Sequence, residues 1–191
     1  MDMIFATHNA HKTREARAIL GDRWDLRDLR DVGCAEEIPE TSDTLQGNAL
    51  QKARYVVEHF HTSCFADDTG LEVEALGGRP GVYSARYAGE HCTYQDNVDK
   101  LLDEMRGVAN RKACFRTVVA LVMDGETHLF EGRVDGVITE EPRGEGGFGY
   151  DPVFQPDGYG QTFAEMGDEV KNGISHRARA MRKLVEFLRE R

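Results

Sequence analysis

The sequence of 191 residues predicts an α/β fold of the mixed α+β kind, with helices flanking a mixed β-sheet. Three observations predict it. Two segments, 44–60 and the stretch after Thr93, carry apolar residues at helical spacing. Short apolar runs, such as Met3 to Ala6, precede helical segments in the first half. In the second half a long β-branched run ends at Asp124-Gly125, a hairpin signal that requires an antiparallel pair. A pure doubly wound parallel sheet is thereby excluded.

The elements follow in order. Met3 to Ala6 reads as a strand, and T-H-N-A-H-K (Thr7 to Lys12) turns it into a helix that Gly21 ends. Cys34 to Ser42 reads as a loop. In the helix over 44–60, Leu45, Ala49, Ala53, Val56, Val57 and Phe60 share one face, and Asn48 and Lys52, four apart, share another. Ser63 to Ala66 is expected to be a strand that delivers Asp67 and Asp68 at its C-terminal end. Gly77 to Gly81 is a loop. Thr93 opens a helix with Asp96 in a capping position. Ala113 to Met123 is the best strand signal, followed by strands at Thr127 to Phe130 and Arg133 to Ile138. Pro142 to Gly160 is rich in glycine and proline. Ser175 caps a last helix that runs to about Arg189.

Composition narrows the function. The formal net charge of −10 speaks against a nucleic-acid polymer as partner, since that calls for basic stripes. An anionic substrate would need cations gathered locally, or a metal. The four cysteines show no CxxC pair and no zinc spacing, which fits free thiols in a reducing, cytoplasmic setting. No signal peptide and no membrane-length apolar run is visible. One domain is expected over residues 1–191.

Four features carry chemistry. Asp67 and Asp68 place two like charges together, which a turn explains blandly and a hard divalent cation explains sharply. The T-H-N-A-H-K turn puts a helix N-terminus, the side chains of Thr7 and Asn9 and the charge of Lys12 where a phosphate could bind. It is not a Walker A loop. Gly144 to Gly149 matches G-x-G-x-x-G, but Tyr150-Asp151-Pro152 follows instead of a helix, so a dinucleotide site is rejected. A loop presenting Phe148 and Asp151 is expected there. Lys171, His176 and Arg177 gather near the last helix start, and Lys52 and Glu40 add a cation and a loop acid. Each has an ordinary surface reading when taken singly; their coexistence favours a site.

Taken in order, these segments resemble the Ham1/RdgB-type inosine triphosphate pyrophosphatases over nearly the whole chain. The resemblance rests on T-H-N-A-H-K, I-P-E, N-A-L-Q-K-A, F-A-D-D-T-G-L-E-V, G-G-R-P-G-V-Y-S-A-R-Y, G-F-G-Y-D-P-V-F and S-H-R-A-R-A. Two departures stand out: Thr69 where serine is common, and Gln46-Gly47 in place of a more usual acidic approach to Asn48-Ala49. What the resemblance implies is a long twisted mixed sheet, two lobes with a central cleft, a homodimer and a Mg²⁺ cofactor. It also implies hydrolysis of ITP, dITP or XTP to the monophosphate and pyrophosphate. Asp68 would be catalytic, and Asp68, Glu40 and Asp67 would hold the metal. The segment Thr7, His8, Asn9, Ala10, His11 and Lys12 would bind substrate, as would Lys52 and Thr69. Phe148, Gly149, Tyr150, Asp151, Lys171, His176 and Arg177 would also bind substrate, with Phe148 stacking on the base, His176 and Arg177 as its donors, and Asp151 and Lys171 lining the pocket. A metal-dependent phosphatase, a pyrophosphatase for pyrimidine nucleotides and a non-catalytic nucleotide sensor remain alternatives.

Overall fold

A computed structural model describes residues 2–191. Seven strands form one mixed sheet in the order β2-β1-β3-β5-β6-β7, with β4 paired to β3. The strands are β1 (Asp2–Phe5), β2 (Asp25–Asp28), β3 (Cys64–Val73), β4 (Pro80–Gly81), β5 (Lys112–Met123), β6 (Glu126–Ile138) and β7 (Phe154–Pro156). The helices are α1 (Ala10–Leu20), α2 (Leu45–Phe60), α3 (Tyr94–Glu104), α4 (Asp168–Ile174) and α5 (His176–Arg189). Strand β1 runs parallel to both β2 and β3, whereas β3–β4 and β6–β7 are antiparallel. The expected mixed sheet with flanking helices is therefore present.

The chain divides into two compact units. The first comprises the chain up to Asp68, Thr117–Gly132 and His176–Arg191; the second comprises Thr69–Arg116 and Arg133–Ser175. In the first unit Met3, Phe5, Phe65, Val119 and Leu121 of the strands pack against Ala16 and Leu20 of α1 and Met181, Leu184 and Leu188 of α5. Phe5 and Phe65 stack with ring centroids 4.6 Å apart across the parallel β1–β3 pair. In the second unit Val98 and Leu101 of α3 meet Leu71, Phe115, Val134, Phe154 and Phe163.

Local chemistry sets the helix ends. Asn9 caps α1 by accepting from the N–H groups of His11 and Lys12, and Gly21 ends it at φ 69°. Thr44 caps α2. Thr93 and Asp96 complete a reciprocal capping box on α3. Asp124 and Gly125 both take positive φ, as a tight hairpin turn demands.

Three sequence expectations change. Strand β3 does not stop at Ala66 but continues through both acids to Val73. Thr127–Phe130 and Arg133–Ile138 are parts of one strand, β6. The strand β2 and the short helix α4, not expected from the sequence, are both present, and Ser175 joins α4 to α5. The Gly144–Gly149 segment leads into a single 3₁₀ turn at Asp151–Val153.

Candidate active site

The site in the first unit begins with the pleat of β3. Successive side chains of a strand point to opposite faces. Phe65 and Asp67 therefore share one face, and Ala66 and Asp68 share the other. Both acids are buried. Adjacent in sequence, they enter different environments.

On its face Asp67 meets two cations. Lys12 Nζ of α1 donates to Asp67 Oδ1 at 3.0 Å, and Arg177 Nε of α5 donates to Oδ2 at 3.1 Å. Helix α1 packs on α5, which brings these cations together. Arg177 also donates through Nη1 to Glu15, one turn beyond Lys12 on α1. Burial alone would raise the pKa of Asp67, but the charges of Lys12, Arg177 and Lys52 outweigh it and hold the carboxyl well below the usual range. Burial pushes Lys12 down, Asp67 partly restores it, and Lys52 and Arg177 push it down further.

On the other face Asp68 is less well served. Its Oδ2 is buried and has no hydrogen-bond partner. Burial is the largest influence on its pKa; the Lys52 cation opposes it and the Glu40 carboxylate adds to it. The result is a carboxyl pushed up to about 6. The Asn48 carboxamide also favours the charged form, although its Nδ2 completes no hydrogen bond. Lys52, buried on α2, donates to Glu40 Oε1 at 2.8 Å and to the main-chain oxygen of Asp67 at 2.6 Å. Burial lowers its pKa, but Glu40, Asp67 and Asp68 together raise it.

The T-H-N-A-H-K turn lies in the same unit. Thr7 Oγ1 accepts from Asn9 N–H at 3.1 Å, and Thr13 Oγ1 donates to the buried Asp28 at 2.9 Å. His8 Nε2 lies 2.7 Å from the main-chain oxygen of Cys34, and Arg14 Nη2 lies 3.2 Å from His11 Nδ1. Ala10 begins α1. Within this turn Lys12 reaches Asp67 of β3.

The remaining predicted residues, apart from His176, which is buried at the start of α5 in the first unit, belong to the second unit. Lys171 Nζ donates to Asp151 Oδ2 at 2.7 Å, with both side chains buried. Asp151 Oδ2 also accepts from Phe148 N–H at 2.9 Å. Lys171 Nζ lies 4.9 Å from the Phe148 ring centroid, a cation–π distance. Tyr150 is held by its hydroxyl, which donates to Ser84 O at 2.6 Å. Gly147 leaves room for Asp151: a Cβ there would fall 2.1 Å from Asp151 Oδ2. Thr69 lies on β3 just past Asp68, and Gly149 has φ 61°.

Two members of these clusters were not singled out from sequence. Glu15 lies three residues after Lys12 on one helix face, and that spacing could have indicated it. Phe163, 6.0 Å from Lys171 Nζ, had no local signal. Among the described residues no group of three or more His, Cys, Asp or Glu could hold a metal ion. Asp68 and Glu40 are a pair of hard oxygen donors, and Mg²⁺ is typically bound by one or two carboxylates together with substrate phosphates and water. The unsatisfied Asp68 Oδ2 fits that need.

The chain is similar over nearly its whole length to known proteins. The Ham1 family profile matches residues 3–187. The dITP/XTP pyrophosphatase of Porphyromonas gingivalis is 57% identical over 97% of this chain and 96% of its own length. That of Bacillus subtilis is 47% identical over 98% of this chain and 96% of its own. The Ham1 protein of Staphylococcus aureus superposes with a TM-score of 0.90 at 36% identity, covering 100% of this chain and 99% of that one. A HAM1 protein from Coxiella burnetii gives 0.91 at 33% identity, with both chains fully covered.

Proposed function

The chain belongs to the Ham1 family, and on that premise we propose that it is a dITP/XTP pyrophosphatase, a hydrolase of acid anhydrides. It would convert the non-canonical purine nucleoside triphosphates dITP, ITP and XTP to the monophosphate and pyrophosphate. The observation that carries the reading is Asp68, buried with an unsatisfied oxygen and a pKa of about 6, beside Lys52 and Glu40.

Such a carboxyl is charged at neutral pH yet basic enough to take a proton from water. We assign Asp68 to orient and deprotonate the water that attacks the α-phosphorus. Lys12 and Lys52 neutralise the charge that develops on the phosphate oxygens as pyrophosphate leaves. The N-terminal turn from Thr7 to Lys12 is the proposed seat of the phosphate tail. Glu40 and one oxygen of Asp68 would hold a Mg²⁺ ion, which when bound would supply further charge neutralisation, and the other Asp68 oxygen would be left to take the proton. Asp67, with one oxygen on Lys12 and the other on Arg177, is assigned instead to holding those cations.

Base choice falls to donors. Hypoxanthine and xanthine present a carbonyl at position 6, whereas adenine presents an amino group. Donors aimed at that position are left unpaired by adenine, which can discriminate by about 10⁴ or more. His176 and Arg177, in the first unit, are the proposed donors. Within the second unit, Asp151 and Lys171 support the Phe148 ring. A homodimer working in the cytoplasm completes the proposal. The four cysteines are free thiols, and no helix among the described residues is long and apolar enough to cross a membrane.

Product analysis tests the proposal. With Mg²⁺ and ITP the expected products are IMP and pyrophosphate, with ATP largely spared. IDP and orthophosphate would move the attack to the γ-phosphorus. ITP bound but intact would make the protein a sensor.

A further inference from the structure

Gly47 sits in the first turn of α2, where the sequence departs from the pattern it otherwise resembles. Its lack of a side chain has a direct structural consequence. A Cβ at position 47 would lie 1.9 Å from Ser42 Oγ, 2.6 Å from Ser42 Cβ and 2.9 Å from Thr44 Oγ1. Real Cβ atoms do not approach that closely. Rotating Ser42 would relieve only the Oγ contact; the contact with Ser42 Cβ requires the main chain to move.

The segment that would move carries Glu40. Residues 40–42 lie back along one stripe of α2. Ser42 N–H donates to Asn48 Oδ1 at 2.8 Å, Thr41 N–H donates to Gln51 Oε1 at 2.9 Å, and Glu40 receives Lys52 at 2.8 Å. Gln51 Nε2 returns a bond to Thr41 Oγ1 at 3.1 Å. Positions 44, 47, 48, 51 and 52 follow the i, i+3, i+4, i+7, i+8 rule, so they form one continuous helix face. Gly47 is the flat place on that face. The same contacts orient Asn48, whose carboxamide lies near Asp68.

We propose that Gly47 is a positioning residue: it lets Ser42 seat against α2 and so fixes Glu40 beside Lys52 and Asp68. The proposal rests on the reading of Glu40 as a metal-holding acid. A glycine in a helix is ordinarily worse than alanine by roughly 1 kcal/mol. Alanine here would therefore stabilise the helix if the seat did not matter.

The test is Mn²⁺ binding to the purified protein without nucleotide, followed by loss of the free-ion EPR signal. Melting in EDTA and the Mg²⁺ dependence of turnover are measured alongside. Gly47→Ala is expected to weaken Mn²⁺ binding about 10-fold or more, the scale seen when a supporting partner of a metal ligand is lost. Adding Ser42→Gly should restore most of the binding, since it removes the atoms that clash. Glu40→Gln serves as the reference. If it leaves Mn²⁺ binding unchanged, the metal reading of Glu40 fails and the proposal with it. If Glu40→Gln weakens binding and Gly47→Ala does not, the reading of Glu40 stands and the positioning role fails. Should Gly47→Ala not fold, Gln51→Ala releases the same segment from a half-buried position. Weakened Mn²⁺ binding in that variant supports the proposal, and wild-type binding overturns it.

Discussion

The two faces of strand β3 receive the same residue type and treat it in opposite ways. On one face Asp67 meets Lys12 and Arg177, and each of its oxygens has a cation at about hydrogen-bond distance. On the other, Asp68 has a buried oxygen with no partner and a second carboxylate, Glu40, among its neighbours. The first carboxyl is held ionised; the second is pushed up to about 6. Position in the pleat separates a group that anchors cations from a group that is destabilised and ready to react. A buried acid that weakens the fold is the kind of feature retained at functional sites.

The largest expected effect is on turnover. Asp68→Asn should lower kcat by about 10²–10⁴-fold, the range lost with a general base. A variant with near wild-type kcat would remove Asp68 from the mechanism. Asp67→Asn should also lower activity, but through displaced cations, so its loss should appear partly in KM for the nucleotide.

A second effect sharpens the contrast through pH. For Asp68 the folded-state pKa lies above the ordinary 3.8, at about 6. Its protonated form therefore favours folding below about pH 4, and that contribution disappears as pH rises through about 6. Asp67 has the opposite sign: its folded-state pKa is lowered, so it contributes stability above the ordinary carboxyl range and loses it as pH falls. Urea melts of wild type and Asp68→Asn from pH 4 to pH 8 should diverge across this window. Parallel curves would contradict the perturbed carboxyl.

Arg177→Ala follows. It leaves Asp67 and Glu15 short of a buried cation, which should destabilise by about 3–5 kcal/mol. It should also erode the preference for ITP over ATP in kcat/KM, whereas an unchanged ratio would refute its role in base choice. The smallest effect belongs to Glu15→Gln, which keeps a hydrogen-bond acceptor at the partly buried end of the chain of charges. A modest loss of stability, about 1 kcal/mol, is expected in urea. Wild-type stability would show that the Glu15 charge does not help to hold Arg177.

Much of the fold could be read locally. Helix α2 declares itself by its apolar stripe, α3 by its capping box, and the β5–β6 hairpin by Asp124-Gly125. The failures have physical causes. Strand β2 reads D-L-R-D and carries too little pattern; pairing with β1 makes it a strand. The run A-D-D-T-G looks like a turn because its residues favour turns, yet β3 continues through it as one of the central strands of the sheet. Strand β6 looks broken at Glu131-Gly132, but Gly132 is there for a close approach: a Cβ would fall 2.0 Å from His176 O at the start of α5. The site was legible as a set of residue types. Its division was not, because the opposite facing of Asp67 and Asp68 depends on recognising that the strand runs on. The Glu15–Arg177 pair depends on helices far apart in sequence.

The most direct test of the contrast between the two acids is the stability of Asp67→Asn and Asp68→Asn in urea at pH 7, without metal or nucleotide. Asp67→Asn strips buried cations of their partner and should lose about 3–5 kcal/mol. Asp68→Asn removes a charge that burial disfavours; with each pKa unit near 1.4 kcal/mol, it should gain roughly 1–3 kcal/mol. Opposite signs are the predicted result. Loss of stability in both variants, by similar amounts, would contradict the account.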